Sequence, residues 1–382
     1  MNIPRTNKKL IQDELFKGRL VIIFGARRTG KTTLSKEILK NYPDIKSKYL
    51  SCDEPDVVHN LSNKTSTELR NYLGDNKLVV IDEAQRVENI GITLKLVVDN
   101  YPEIQIIATG SSSFELANKI IEPLTGRHVD FFMGPISLNE ASFIYDNIEL
   151  RRLSESFIIY GMYPEIVTCN DSKEKGIILK RIVNDYLFKD LFVYDGIHNT
   201  KLLQDLTRML ALNVGNTISY DYLAKKLDSS RATIIKYIDL LEKAFVIFKA
   251  TPFYTNKAKE ITKQSKIYFY DTGIRNALLN NFDPLELRTD SGAIFENFVF
   301  AEFAKLEHPS FLNNPQFWRT TDKSEVDYIK ANADTTQIYA LEIKISKTKS
   351  PTKAPLAFRN IYPDAKFESI NKDNMIEYFT KK

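Results

Sequence analysis

The sequence predicts an α/β protein whose first third forms a mainly parallel sheet covered by helices on both faces. Two observations lead to this class. Short apolar runs recur at residues 21–24, 49–50, 78–81 and 104–108, with helical patterns such as 94–100 between them. Two of the runs are followed directly by glycine-rich or acidic residues. Runs that are too short for helices and alternate with them are typical of parallel strands buried on both faces.

The first apolar run leads into a loop that fits the pattern G-x-x-x-x-G-K-[ST], known as Walker A. The loop residues are Gly25, Ala26, Arg27, Arg28, Thr29, Gly30, Lys31 and Thr32, and a helical pattern begins at Thr33. Glycine lets the backbone wrap closely around a phosphate, and the loop N–H groups and the helix start present partial positive charge to it. The pattern therefore predicts an ATP site in residues 25–33, with Lys31 at the β- and γ-phosphates and Thr32 on Mg²⁺. The alternative is a glycine-rich turn that arises by chance.

The third apolar run, Leu78 to Ile81, ends in Asp82 and Glu83. A buried parallel strand delivers such carboxylates to the carboxyl edge of the sheet, where α/β proteins bind ligands. We expect Asp82 to hold Mg²⁺ through water and Glu83 to polarise the water that attacks the γ-phosphate. The alternative is an ordinary polar strand end, which the preceding Walker A pattern disfavours.

Three further polar residues are candidates for the same site. Thr109 and Ser111 follow the fourth apolar run and could bind the γ-phosphate or the attacking water. A turn that caps the next helix is their alternative role. Arg127, after Gly126, is a candidate for an arginine finger that acts in trans on a neighbour's ATP. A surface arginine in a salt bridge is equally consistent with the sequence.

The order of Walker A, an Asp-Glu Walker B and a polar strand end resembles AAA+-type P-loop ATPases. The resemblance narrows to a prokaryotic family that joins an AAA-type ATPase to a C-terminal domain of unknown function. It is carried by Ala84-Gln85, Thr109-Gly110-Ser111, Gly126-Arg127 and Gly161-Met162-Tyr163-Pro164-Glu165. It implies ATP and Mg²⁺ as cofactors, ATP hydrolysis as the activity and a helical lid after the core. Met162 stands where many relatives have a second glycine, and the last motif has no assigned chemistry.

Residues 218–253 read as helix, turn, helix and strand. Ser219 and Ser230 are placed to cap the two helices, and residues 245–251 form the expected strand. The pattern resembles winged helix-turn-helix modules, which implies DNA as a partner. The second helix would then present a set of polar and basic residues to the DNA, namely Ser229, Arg231, Thr233 and Lys236. A small helical packing module without DNA contact is the alternative.

Two acids and a lysine stand together in the C-terminal part of the chain. Asp327 lies on one predicted strand, and Glu342 and Lys344 lie on one face of the next. Glu296 lies on an apolar helix stripe, where a carboxylate needs a partner or a metal. The spacing D-x₁₄-E-x-K resembles the PD-(D/E)xK nuclease superfamily. A neutralised cross-strand pair at a sheet edge is the alternative for Glu342 and Lys344.

The nuclease resemblance implies a role for each of these residues. Asp327 and Glu342 would hold Mg²⁺, Glu296 would assist, and Lys344 would be the catalytic base or an electrostatic aid. The proline of the superfamily motif is absent, because Val326 precedes the aspartate. A basic stretch with Lys347, Lys349 and Lys353 follows, and it fits either a phosphate-binding surface or a solvated edge. Cleavage and binding without cleavage therefore both remain open.

Length and composition limit the classes of protein that need to be considered. The chain of 382 residues carries a net charge of +4 and two cysteines, Cys52 and Cys169. This composition favours several domains and a reducing cytoplasm, and it does not favour a Cys/His zinc site. No apolar run is long enough to cross a membrane.

We predict four domains in the order in which the motifs occur. They are a P-loop ATPase core (1–138), a helical lid (139–212), a winged helix (213–260) and a smaller α/β nuclease-like domain (261–382). The expected function is Mg²⁺-dependent ATP hydrolysis coupled to DNA binding or processing. Two alternatives remain: an ATP-gated protein-binding module, and a signalling or defence NTPase of the STAND type that assembles into a homo-oligomer.

Overall fold

The computed structural model confirms the predicted α/β class and contains two sheets. It describes residues 3–111, 126–188, 191, 199–253, 264–306, 315–320, 322, 324–332, 337–349 and 351–380. The first sheet has five strands and the second has six. Each sheet carries one cluster of acidic side chains, and the two clusters are the candidate sites described below.

The first sheet is wholly parallel and has the order β2-β3-β4-β1-β5. Its strands are β1 (Leu20–Phe24), β2 (Ser47–Ser51), β3 (Leu78–Asp82), β4 (Gln105–Gly110) and β5 (His128–Phe132). In β1, Ile22 and Phe24 pack into the core on one face, while Val21 and Ile23 pack into a separate core on the other. Both faces are therefore covered, which explains the unbroken apolar runs in the sequence.

Five helices cover this sheet. They are α1 (Asn7–Glu14), α2 (Lys31–Lys40), α3 (Pro55–Leu61), α4 (Ser66–Leu73) and α5 (Ile90–Asn100). A 3₁₀ turn, Ala84–Arg86, follows β3. Helix α2 starts two residues earlier than the sequence pattern suggested, so Lys31 and Thr32 lie in its first turn. The N-terminus of α2 therefore opens directly from the Walker A loop.

The middle of the chain is helical, as expected. Its elements are α6 (Leu138–Ala141), α7 (Asn147–Tyr160), α8 (Pro164–Thr168), α9 (Ser172–Arg181), a π-helical segment (Ile182–Phe188) and α10 (Thr200–Leu212). Ser137 and Glu140 form a capping box at α6, and Asp146 and Asp171 cap α7 and α9. Local side-chain hydrogen bonds therefore set where these helices begin.

A helix pair and a hairpin follow. They are α11 (Tyr220–Lys226), α12 (Arg231–Lys243), β6 (Ile247–Pro252) and β7 (Lys266–Phe269). Ser219 and Ser230 cap the two helices as predicted, each through a hydrogen bond from a backbone N–H to its side chain. The strand predicted from Phe245 begins at Ile247, because Phe245 adopts a left-handed backbone conformation with φ of 56°. Thr217 forms an isolated antiparallel bridge with Lys266, so three strand segments meet here.

The hairpin is part of the second sheet, whose order is β11-β10-β9-β8-β6-β7. The other elements of this region are α13 (Thr272–Leu278), α14 (Ser291–Leu306), β8 (Gln316–Arg319), β9 (Glu325–Ala331), β10 (Ile338–Ile343), α15 (Leu356–Ile361), β11 (Lys366–Ile370) and α16 (Met375–Thr380). Short 3₁₀ turns occupy 285–287 and 347–349. β6 pairs with β7 on one side and β8 on the other, so the predicted division at residue 260 falls inside one hairpin.

Contacts join the first sheet to the C-terminal region. The backbone N–H of Leu138 donates to Glu302 Oε2 on α14 over 2.7 Å. Lys305 Nζ, on the same helix, donates to the carbonyl of Ile136 over 3.0 Å. One apolar core runs from Ile136 in the segment before α6 to Phe379 in α16. The segment between β5 and α6 is thus hydrogen-bonded directly to helix α14 of the C-terminal region.

Candidate nucleotide-binding site and a second carboxylate cluster

The Walker A loop has the conformation for which its glycines are needed. Gly25 and Gly30 have φ of 153° and 99°. A Cβ atom on Gly25 would lie 2.0 Å from the carbonyl oxygen of Met133, so no other residue fits there. Ala26 and Arg27 are half-buried in the loop, and Thr33 is exposed on the first turn of α2.

Lys31 is folded back into the loop. Its side chain is buried, and Nζ donates to the carbonyls of Gly25 over 2.7 Å and Ala26 over 2.9 Å. Thr29 Oγ1 also donates to the Ala26 carbonyl, over 2.9 Å. The loop thus holds an ammonium at its centre and exposes backbone N–H groups at a helix start, an arrangement suited to an anion.

Asp82 is the last residue of β3, and its side chain contacts residues of β2, β4 and α2. Its Oδ2 accepts hydrogen bonds from Thr32 Oγ1 over 2.7 Å and from the Tyr49 hydroxyl over 2.6 Å. Its Oδ1 accepts one from Thr109 Oγ1. The predicted residues Thr32, Asp82 and Thr109 therefore lie together at the carboxyl edge of the sheet. The three donors are neutral hydroxyl groups, and carboxylate and hydroxyl oxygens are ligands suited to a divalent cation.

Tyr49 was not predicted as a site residue. Burial, and then the hydrogen bond to Asp82, raise the pKa of its hydroxyl well above the usual range. Tyr49 therefore stays protonated and remains a hydrogen-bond donor at any physiological pH. Its position on the strand next to β3 brings it to Asp82, and no motif in the sequence marks it.

Glu83 takes a left-handed backbone conformation, with φ of 55°. Its N–H donates to Thr109 Oγ1 over 3.1 Å, and its Oε2 accepts a hydrogen bond from Gln85 Nε2 over 2.5 Å. Gln85 Nε2 also lies 3.0 Å from Ser111 Oγ, so the predicted residues Glu83 and Ser111 meet through Gln85. The sequence marks Gln85 only as part of a family motif and predicts no role for it.

Arg5 braces the loop from the N-terminal segment. Its Nη1 donates to the carbonyl of Thr29 over 2.7 Å, and its Nη2 donates to the carbonyl of Gly134 over 2.7 Å. Nε forms an ion pair with Glu140 over 3.0 Å, and both side chains are buried. Sequence reasoning missed this residue, because its partners lie 24 to 135 positions away.

The Gly161–Glu165 motif links the loop to the C-terminal half. Glu165 forms an ion pair with Arg28, whose φ is 63°. Gly161 has φ of 70°, and a Cβ there would lie 2.0 Å from Asp271 Oδ1. Met162 is buried and its N–H donates to Asp271 Oδ2 over 2.7 Å. The glycine is required at the first position of the motif, and Met162 packs in the core at the second.

Arg127 lies at the opposite edge of the sheet from the Walker A loop. Its carbonyl accepts the N–H of Leu20, the first residue of β1, and its Nε pairs with Asp99 over 2.7 Å. It is therefore distant from the nucleotide site of its own chain and takes part in a surface salt bridge. The expectation of a finger in trans stays a prediction.

A second cluster lies in the C-terminal sheet. Asp327 Oδ2 accepts the N–H of Ile343 over 2.8 Å and lies 3.1 Å from Lys344 Nζ. Lys344 Nζ also lies 2.6 Å from Glu342 Oε1, while Glu342 Oε2 is buried with no hydrogen-bond partner. Burial and the nearby Asp327 raise the pKa of Glu342. Burial opposes the charged form of Lys344, but the two carboxylates outweigh it and raise its pKa.

Glu296 lies beside this cluster with partners of its own. Its Oε1 accepts the Tyr268 hydroxyl over 2.5 Å and pairs with Lys266 Nζ over 3.2 Å. Lys266, on β7, also pairs with Glu325. Burial, opposed by Lys266 and reinforced by Asp327, raises the pKa of Glu296. Lys266 was not predicted, because it comes from the hairpin and not from the motif strands.

The predicted metal ligands are only partly assembled. Asp327 and Glu342 share Lys344, whereas Glu296 is held by Lys266 and Tyr268. Over the ranges that the structure describes, no group of three or more His, Cys, Asp or Glu side chains has the geometry to hold a metal ion. A cation here would have Asp327 and Glu342 as its protein carboxylates.

The candidate DNA-contacting residues lie on the accessible face of α12. Arg231 and Lys236 are exposed, and Arg231 pairs with Asp221 of α11 over 3.5 Å. Ser229 and Thr233 are partly exposed near the start of the helix. Their placement is compatible with an external ligand and does not identify one.

Three consecutive segments match known families. Residues 17–142 match a family described as an AAA domain. Residues 151–285 and 291–378 match two families described as domains of unknown function, DUF8612 and DUF4143. Together with the loop geometry, the first match defines the N-terminal segment as an AAA-type ATPase domain.

Relatives occur in bacteria and archaea. An uncharacterized protein of Mycobacterium tuberculosis is 27% identical over 345 residues, which cover 89% of this chain and 73% of that protein. An uncharacterized protein of Methanocaldococcus jannaschii is 25% identical over 380 residues, which cover 94% of this chain and 82% of that protein. The similarity thus extends well beyond the ATPase segment.

Solved structures with partial similarity include two proteins of Thermotoga maritima. Domain III of the replication initiation protein DnaA has a TM-score of 0.32 and 16% identity, covering 48% of this chain and 95% of that one. A mutant of RuvB has a TM-score of 0.33 and 15% identity, covering 68% of this chain and 95% of that one.

Among the residues that the structure describes, no helix combines the length and apolar character needed to cross a membrane.

Proposed function

We propose that this protein is a Mg²⁺-dependent ATPase whose nucleotide cycle controls DNA binding or processing by its C-terminal half. The observation that carries the ATPase part is the convergence of Thr32, Tyr49 and Thr109 on Asp82, directly beside the Walker A loop. Hydroxyl donors and one carboxylate at a helix start fit a phosphate-bound divalent cation.

Residues of the Walker A loop and of the end of β3 have separate roles in the proposed ATP hydrolysis. Lys31 leaves the carbonyls of Gly25 and Ala26 and binds the β- and γ-phosphates through its ammonium. Glu83 accepts a proton from the water as its oxygen attacks the γ-phosphorus and the bond to the β–γ bridging oxygen breaks. Thr32 and, through water, Asp82 would hold Mg²⁺, which would neutralise the charge on the phosphate oxygens.

The DNA part of the proposal has two supports. The capped helix pair α11–α12, the hairpin β6–β7 and the Thr217 bridge have the arrangement of a winged helix with Arg231 and Lys236 on its accessible face. The adjacent antiparallel strands β9 and β10 bring Asp327 to Glu342 and Lys344, as the PD-(D/E)xK resemblance requires. The buried and unpartnered Glu342 Oε2 fits a cation at this cluster.

The first experiment measures ATP hydrolysis with Mg²⁺, in the presence and absence of single- and double-stranded DNA. We expect hydrolysis that increases when DNA is added, because the Gly161–Glu165 motif joins the Walker A loop to Asp271 in the C-terminal half. If the rate of ATP hydrolysis did not change with DNA and the protein oligomerised in an ATP-dependent way, the STAND-type alternative would be favoured.

A second experiment tests cleavage. Metal-dependent nicking of plasmid DNA should disappear in Glu342→Ala and persist in Glu368→Ala, which alters an exposed carboxylate on the neighbouring strand β11. The competing function is ATP-gated binding of a protein or nucleic acid without cleavage. It is favoured by Lys266 and Lys344, which already form ion pairs with Glu296 and Glu342, and it predicts no nicking in any variant.

A further inference from the structure

Gln85 occupies an unusual position beside the predicted catalytic glutamate. It is 7% exposed, and its amide nitrogen makes two hydrogen bonds: 2.5 Å to Glu83 Oε2 and 3.0 Å to Ser111 Oγ. Its amide oxygen Oε1 is buried and has no hydrogen-bond partner among the residues that the structure describes. The side chain thus joins the end of β3 to the end of β4, and its oxygen faces away from both contacts.

The orientation of this amide is fixed by chemistry. A carboxylate accepts hydrogen bonds and cannot donate them, so the group facing Glu83 has to be the NH₂. Flipping the amide would place its oxygen 2.5 Å from Glu83 Oε2, with two acceptors facing each other. With the NH₂ facing Glu83, the amide oxygen is left to accept a hydrogen bond from a water molecule.

Resting on the proposed ATPase function, we propose that Gln85 is a positioning residue for ATP hydrolysis. Its NH₂ group holds the Glu83 carboxylate in one rotamer and ties it to Ser111, while its oxygen is the acceptor for a buried water beside that carboxylate. Glu83 has a strained backbone, and the contact to Gln85 spans only two residues, so the side chain of Gln85 decides where the carboxylate lies. The same contact makes the polar end of β4 part of the hydrolytic site.

The test compares Gln85→Leu, which removes both hydrogen bonds, with Gln85→Glu, which keeps the shape and adds a second carboxylate beside Glu83. We expect Gln85→Leu to lower kcat by about 10- to 100-fold while the Kd for ATP stays within about threefold, since Lys31 and the loop are untouched. An ionised carboxylate at position 85 cannot donate to Glu83, so in Gln85→Glu we expect the same fall in kcat although the shape is kept. A merely structural role would not lower kcat alone in a variant that keeps the shape.

A double-variant cycle shows whether Gln85 acts through Glu83. In a Glu83→Gln background, Gln85→Leu should cause no further loss of kcat, because the group that it positions is already disabled. Equal losses in the two backgrounds would overturn the proposal. So would a wild-type kcat in Gln85→Glu.

A direct measurement on the amide separates this inference from the ATPase proposal. The side-chain NH₂ group of Gln85 is followed by ¹H–¹⁵N NMR in the intact chain, with Lys40→Ala on the exposed end of α2 as the control variant. Slow hydrogen exchange of this NH₂ group that is lost in Glu83→Ala supports the positioning contact even if the wild-type protein hydrolyses no ATP, which would refute only the ATPase proposal. Equally fast exchange in the wild type, Lys40→Ala and Glu83→Ala refutes the role of Gln85.

Discussion

The two acidic clusters of this chain lie at strand ends in different sheets, and they are stabilised in different ways. Asp82 is surrounded by three hydroxyl donors, from Thr32, Tyr49 and Thr109. Asp327 and Glu342 share the ammonium of Lys344. The described donors to Asp82 are neutral hydroxyl groups, whereas Asp327 and Glu342 share a positively charged counter-ion.

This difference decides how each cluster can respond to a cation. Hydroxyl groups can turn from donating to Asp82 to coordinating a metal without a change of net charge. A cation at Asp327 and Glu342 has to displace or repel Lys344, so its binding is coupled to movement of that side chain. A cation can therefore bind at Asp82 by a rotation of hydroxyl groups, whereas a cation at Asp327 and Glu342 competes with the ammonium of Lys344.

The largest expected effect is at the nucleotide site. Lys31→Ala removes the only ammonium that the structure places within residues 25–33, so we expect kcat for ATP to fall by at least about 100-fold while the fold is kept. ATP turnover and thermal unfolding measure the two parts of this statement. Lys40→Ala, on the same helix, is the control, and wild-type turnover in Lys31→Ala would refute the assignment of the site.

The next largest effect is at the C-terminal cluster. Lys344→Met leaves Asp327 and Glu342 facing each other without their shared cation, which should lower the free energy of unfolding by about 2 kcal/mol near neutral pH. The loss should be smaller at acid pH, because protonation of Glu342 removes the repulsion. Added Mg²⁺ should restore part of the loss if the carboxylates bind it.

Urea denaturation at two pH values, with and without Mg²⁺, measures this effect. Lys353→Met, in an exposed loop, is the control. An equal loss of stability at both pH values would mean that Lys344 acts through packing and not through charge.

A smaller effect concerns the pH dependence of folding. Burial and Asp327 raise the pKa of Glu296, so the native state binds the proton more tightly than the unfolded chain does. Its contribution to stability is present below the unfolded pKa and is lost as the pH rises through the folded pKa. Glu296→Gln should therefore make the decline of stability shallower as the pH rises from about 4.5 through the raised pKa of Glu296. Denaturation midpoints across that range, compared with Glu368→Gln, test this; parallel curves would contradict it.

The smallest effect expected is that of Tyr49→Phe. Asp82 loses one of three hydroxyl donors, and the half-exposed tyrosine limits the cost to about 1 kcal/mol. We expect a change of a few-fold in the Mg²⁺ concentration that gives half-maximal ATP turnover. Tyr42→Phe, whose ring packs on Phe16, serves as the control. If Tyr49→Phe and Tyr42→Phe needed the same Mg²⁺ concentration for half-maximal ATP turnover, the hydrogen bond from Tyr49 to Asp82 would be dispensable.

Much of the nucleotide site was predictable because its determinants are local. The glycines of the Walker A loop, Lys31 and Thr32 lie within eight consecutive residues, and Asp82 and Glu83 end a single apolar strand. The second cluster was predicted in outline, since Asp327 and Glu342 lie on adjacent strands and Lys344 directly follows the second of them. Motifs of this kind survive in the sequence because each one is confined to one or two neighbouring elements.

The residues that were missed are joined to the sites by long-range packing. Arg5, Tyr49 and Lys266 reach their partners only after the sheets have formed, and nothing in their own neighbourhood distinguishes them from other surface or core residues. The same holds for β6, whose sequence reads as a strand but does not reveal that it extends the C-terminal sheet.

The sequence by itself therefore determined the α/β class, the phosphate-binding loop and the acids at the strand ends, because backbone conformation and strand periodicity are local properties. Only the tertiary structure decided which donors surround each acid. It gave Asp82 neutral hydroxyl groups and gave Asp327 and Glu342 a lysine. The charge that remains on a carboxylate depends on neighbours that are distant along the chain and close in space.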